Sequence, residues 1–199
     1  GEGNYIETEL KIQDALKEAG FKVSDKVSSG SQSGSAGLEA GQTPELYFGS
    51  LCGSVQNIPQ DISLQPDQIY SIGKWSQEDE FLQHDRVTSD LDDLIILEYR
   101  AKDVYLVMGP ARSADGSPVD SPAPEDGQAI KVYVTQDGVG LSSDNAGSDI
   151  QFDQEGRSFV EVKFSTLYHL ISSESFGDHS IRLSTTSDKL RLFAFTFGG

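Results

Sequence analysis

The residues able to do chemistry are few and scattered. Asp144, Asn145, Asp149 and Asp153 crowd one stretch that also holds Gly147 and Gly156. Oxygen ligands gathered on a loop can bind calcium, which makes these four the candidate metal ligands. Their spacing is not that of an EF-hand, so a solvated acidic turn is the competing reading. Asp90, Asp92 and Asp93 form a weaker version of the same cluster. His84, His169 and His179 are the three histidines, and none stands at a short ligand spacing such as His-x-x-x-His. Serine and aspartate are plentiful, so folding could assemble a Ser-His-Asp triad. No Gly-x-Ser-x-Gly elbow supports one.

Cys52 is the single cysteine. One thiol forms no intrachain disulfide, and the absence of a Cys-x-x-Cys pair excludes dithiol redox chemistry within this chain. No Lys, Arg or His stands within three positions of Cys52 to activate it, so a structural or incidental role is expected. Trp75 is the only tryptophan. Its indole face suits stacking on a sugar ring, and it equally suits filling a core. Alternation sets Trp75 on one strand face with Ile69, which favours the core. Tyr47, Tyr70, Tyr99, Tyr105 and Tyr133 face the same choice.

Composition narrows the function further. The 199 residues are 36% apolar and 24% charged, normal for a folded domain. The net charge of -17 comes from 15 Lys and Arg against 32 Asp and Glu. Such a surface repels phosphate backbones and anionic membranes, so nucleic acid is not an expected partner. No apolar run approaches the ~20 residues that span a bilayer. The first residues, Gly-Glu-Gly-Asn, lack the basic and apolar regions of a signal peptide. Any membrane connection is expected to run through parts outside this sequence.

Residues 4–20 read as a helix. Asn4 can cap it, Glu7 stands in capping-box spacing, and Ile12, Ala15, Leu16 and Ala19 form one apolar stripe. A helical appendage at 1–23 and a Ser/Gly-rich linker at 24–42 therefore precede a main domain at 43–199. That domain reads as about nine or ten short strands separated by Gly, Pro, Asp, Asn and Ser clusters. Strands are expected at 45–49, 69–76, 81–87, 93–101, 103–109, 129–135, 158–164, 167–172, 179–184 and 190–197, with a long surface loop at 111–127. Alternation turns Val160, Val162 and Phe164 inward, and puts Phe193, Phe195 and Phe197 on one face. The fold class is all-β, a jelly-roll β-sandwich with a short N-terminal helix.

Several stretches resemble one family. Gly1-Glu-Gly-Asn-Tyr-Ile-Glu-Thr-Glu-Leu10 resembles the last helix of the thioredoxin-like domain in bacterial DipZ-type proteins, which are thiol-disulfide proteins related to cytochrome c biogenesis factors. Thr43-Pro-Glu-Leu-Tyr-Phe-Gly49, Tyr70-Ser-Ile-Gly-Lys-Trp75 with Glu80, Arg100-Ala-Lys-Asp-Val-Tyr-Leu-Val-Met-Gly-Pro110 and Phe193-Ala-Phe-Thr-Phe-Gly198 resemble successive parts of the next domain. The resemblance implies a jelly roll similar to carbohydrate-binding modules, working outside the bacterial cytoplasmic membrane. It implies a non-catalytic accessory domain whose partners are the adjacent thioredoxin-like domain and a glycan. Trp75 and Tyr47 then become the candidate ligand-binding residues, and a structural calcium the one cofactor to consider. The alternative is a jelly-roll enzyme, such as a glycoside hydrolase, which needs two carboxylates about 5–10 Å apart across a cleft. The sequence marks no such pair.

With Cys52 alone, the chain is expected not to catalyse insulin reduction in the presence of dithiothreitol. Turnover above background that disappears in Cys52→Ser would contradict this.

Overall fold

The computed structural model describes residues 41–59, 63–111 and 129–199, which fall within one compact unit, Glu39–Gly199. The helix expected at 4–20, the Ser/Gly-rich tract and nearly all of the loop at 111–127 lie outside the described residues. Within them the chain is all-β, a β-sandwich of twelve strands.

Two long strands organise the rest. β6 (Leu94–Pro110) and β11 (Thr166–Ser184) run antiparallel beside each other for most of their length. The first half of β6 pairs on its other side with β3 (Ile69–Ile72), which carries β2 (Val55–Asn57) in parallel. The second half pairs instead with β12 (Leu190–Gly198). β12 carries β1 (Leu46–Tyr47) and β5 (Leu82–His84), and β5 pairs with β4 (Trp75–Gln77). On the far side of β11 come β7 (Ile130–Gln136), β10 (Ser158–Val162) and β9 (Ile150–Phe152). β8 (Val139–Gly140) closes a hairpin with β7. Asp137 and Gly138 form its turn, both at positive φ, as tight two-residue hairpins require. Because the halves of β6 and β11 have different outer neighbours, each strand belongs to both layers.

This sharing solves a parity problem. Side chains alternate faces along a strand. In β6 the core residues are Ile95, Leu97, Tyr99 and Ala101, then Val104, Leu106 and Met108. The odd positions give way to even ones across Lys102 and Asp103, where the pairing with β11 also slips between Ser172 and Gly177. The phase change keeps both halves facing one core. Sequence reading ends one strand at 101 and starts another at 103. The backbone in fact stays paired through that point, and likewise 167–172 and 179–184 merge into β11.

A second slip corrects the reading of the last strand. The register of β12 against β6 shifts between Leu192 and Ala194. Leu190, Leu192 and Phe195 are therefore all fully buried, and Phe193 turns aside to meet Phe81 edge-on at 5.9 Å. Phe193, Phe195 and Phe197 do not share one face, because a bulge inserts an uncounted residue into the period of two. Phe164 is corrected too: β10 ends at Val162, so Phe164 lies past the strand and is 48% exposed. The strand expected at 69–76 divides at Gly73, whose φ of 92° turns the chain into β4.

Phe195 packs against Phe48, ring centres 5.3 Å apart and tilted by 39°, and both are fully buried. Phe195→Ala is expected to cost roughly 3–5 kcal/mol in urea unfolding, and Phe193→Ala clearly less. Equal costs would contradict the bulge.

Candidate ligand groove on the outer face of the sheet

Val132 and Val134 of β7 point into the core, so Lys131, Tyr133 and Thr135 point outward. Neighbouring strands continue the same outer face. Tyr133 stands opposite Phe159 of β10 and Ser184 of β11, and Thr135 opposite Arg182. Ile181 and Leu183 are buried, which sends Arg182 to solvent. Two hollows flank Tyr133. The first, about 430 Å³, holds Leu94, Thr135, Ser158, Arg182 and Ser184. The second, about 590 Å³, holds Lys131, Thr186, Ser187, Asp188 and Lys189. Leu91, Tyr133 and Arg157 line both, so they form a ridge between two hollows of ordinary ligand-site size.

Arg157 is held on that ridge. Its guanidinium lies 4.8 Å from the centre of the Tyr133 ring, a cation-π stack. Its Nε donates to Asp153 Oδ2 at 2.7 Å and its Nη2 to Glu155 Oε2 at 2.7 Å. The other Asp153 oxygen accepts the backbone N–H groups of Glu155 and Arg157, closing a tight Asx turn. Burial pushes the Asp153 carboxyl up, but these N–H and guanidinium donors outweigh it and hold the group below the usual carboxylate range.

The four candidate metal ligands thus have separate occupations. Asp153 brackets Arg157. Asn145 donates to Gln136 Oε1 at 2.6 Å and accepts the Ser142 N–H at 2.8 Å. Asp149 accepts the His169 N–H at 2.8 Å, and Asp144 accepts from the Ser143 hydroxyl at 3.3 Å. Among the described residues no three or more His, Cys, Asp or Glu gather as a metal site.

Trp75 and Tyr47 lie away from the groove. Trp75 is half-buried against the core, gives its indole N–H to the Ile72 carbonyl at 3.0 Å, and packs on the His84 ring at 4.7 Å. Tyr47 is 42% exposed on β1, with its hydroxyl bonded to Glu45.

Beneath Trp75 sits a buried carboxylate. Asp93 receives the His84 Nε2 at 2.9 Å, the Lys74 N–H at 3.2 Å and both arms of the Arg86 guanidinium, one at 2.8 Å. His84 Nδ1 faces the Ser187 carbonyl at 2.9 Å. A Cβ at Gly73 would overlap the Asp93 carboxylate, so only glycine fits that corner. The Arg86 hydrogen bonds, helped by His84 and opposed by burial, hold Asp93 far below the usual carboxylate range.

Two other constellations bear on catalysis. Ser148 Oγ lies 3.4 Å from His169 Nδ1, and His169 Nε2 lies 3.4 Å from Asp103. Both contacts are long, and the Ser148 N–H also points at Nδ1, at 3.4 Å. A cleft of about 460 Å³ gathers Asp67, Glu98, Asp137 and Asp178. Asp178 grips Arg100, and Asp67 accepts from Thr43. Burial raises Asp137, but the Ser180 N–H and His179 outweigh it and leave the group lowered. A glycosidase acid needs the opposite shift.

Tyr133 was visible in the sequence as one aromatic among several. Arg157, Arg182 and Lys131 were missed. The available signal was Asp-x-Glu-x-Arg at 153–157, a turn that aims its arginine at the neighbouring strand.

Compared with known proteins, residues 43–198 match the family model described as thioredoxin-like C-terminal domain. No curated protein matches the chain.

Asp93 is ionised at lower pH in the folded chain than in the unfolded one. Its stabilisation is full above about pH 4 and is lost as pH falls below that value toward its folded pKa. Asp93→Asn should lose on the order of 3 kcal/mol at pH 7 and show a flatter decline in acid than the parent. Parallel acid-melting curves for the two proteins would contradict the assignment.

Proposed function

The chain belongs to the thioredoxin-like C-terminal domain family, and on that premise we propose that it is a non-catalytic binding module accessory to a thiol-disulfide protein. The parent is of the DipZ type, related to cytochrome c biogenesis and acting outside the bacterial cytoplasmic membrane. Residues 1–23 are then the end of its thioredoxin-like domain, residues 24–42 the linker, and any membrane span belongs to other parts of the parent. The lone Cys52 supports the division of labour: redox chemistry stays with the neighbouring domain, and this unit supplies recognition.

The observation that carries the binding role is the double groove at Tyr133. Its central ring lies under the Arg157 guanidinium at 4.8 Å with Phe159 alongside at 5.9 Å, so the stacked pair forms a rigid ridge. Its walls are rich in hydroxyls, from Thr135 and Ser184 on one side to Thr186 and Ser187 on the other. An aromatic ridge between hydroxyl-lined hollows suits a saccharide chain, whose rings offer apolar faces and whose edges exchange hydrogen bonds. This reading moves the ligand role from Trp75 and Tyr47 to Tyr133.

The test is titration of the chain with a panel of neutral and acidic oligosaccharides. At least one should bind, and Tyr133→Ala should weaken it about tenfold with an unchanged melting temperature. A panel without binding defeats the saccharide reading.

A further inference from the structure

The groove reverses the sign of the chain. Against a net charge of -17, its lining carries Lys131, Arg157, Arg182 and Lys189 and one acid, Asp188. Two of the four cations are neutralised. Arg157 is bound by Asp153 and Glu155, and Lys189 stands 3.5 Å from Asp188. The other two have no carboxylate partner among the described residues. Arg182 faces Thr135 across the sheet. Lys131 has Glu161 opposite it, but that carboxylate is bonded to Lys163 at 2.8 Å. Lys131 lines the second hollow, and its ammonium lies 4.4 Å from the centre of the Phe159 ring. Among the described residues, one cation without a carboxylate partner therefore stands in each hollow, with the Tyr133-Arg157 ridge between them.

We propose that the groove takes an acidic saccharide, one carboxylate meeting Arg182 in the first hollow and another meeting Lys131 in the second. The proposal rests on the saccharide-binding reading above. The fork of an arginine matches a carboxylate, and a fixed ammonium adds a second point charge across the ridge. Two cations on either side of a ridge suit carboxylates carried on separate sugar rings. They do not suit a phosphate backbone, whose dense charge would meet the acidic remainder of the surface.

The experiment titrates the 199-residue chain with a tetrameric oligogalacturonate and with its fully methyl-esterified form, which keeps the rings and removes the charge. The acid form should bind about tenfold or more tightly than the ester. Arg182→Gln and Lys131→Gln should each weaken the acid form about five- to tenfold and leave the ester within about twofold, and Lys102→Gln should change neither. Equal affinity for acid and ester overturns the proposal while leaving saccharide binding intact. Equal losses for both forms in the variants overturn it too. Single-stranded DNA binding as tightly as the acid reduces the site to charge attraction and overturns it. If neither form binds, this proposal and the saccharide reading fall together.

Discussion

The structure depends on one change of phase. β6 serves both layers of the sandwich, and a strand that switches layers does so through a bulge or a bend. Lys102 and Asp103 absorb the mismatch, and the buried positions pass from odd to even numbers across them. The partners adjust in step. β11 slips near residues 172–177, and β12 slips at Phe193. These bulges set which side of each strand is inner, and so also which side is left for a ligand.

A polar lock holds the start of that strand. Asp93 is 1% exposed, a costly position for a carboxylate, and four donor atoms from three residues, Lys74, His84 and Arg86, converge on it. The lock ties the Gly73 corner, β5 and the residues before β6 into one unit. It also explains the Gly73-Lys-Trp75 motif without a ligand: glycine clears space for the carboxylate, Lys74 supplies an amide, and Trp75 roofs His84. Residues that look functional by type are here spent on holding the fold.

The outer face follows a different electrostatic logic. The net charge of -17 disfavours a densely charged polyanion such as a nucleic acid. At Tyr133 a short turn gathers two acids around one arginine, and the strands beside it expose Arg182 and Lys131. Local arrangement opposes the net charge over the few ångströms where a ligand would bind.

Much of this was legible in the chain. Alternating apolar runs and Gly/Pro punctuation determined the all-β class, because the period of two is a local property that packing only selects. The lone cysteine ruled out dithiol chemistry within the chain by counting alone. Tertiary structure decided the rest. Whether 94–110 is one strand or two, and whether Phe193 or Phe195 faces inward, depends on register with β11 and β12, which no local pattern encodes. Asp153 read as an oxygen ligand because its type and loop context fit one. Only the fold shows that it accepts from Arg157 and aims that side chain at Tyr133. Asp93 looked like the edge of an acidic cluster, and only folding brought His84 and Arg86 onto it and buried it. A residue's type sets the interactions available to it, and the partner that folding delivers decides which one it makes.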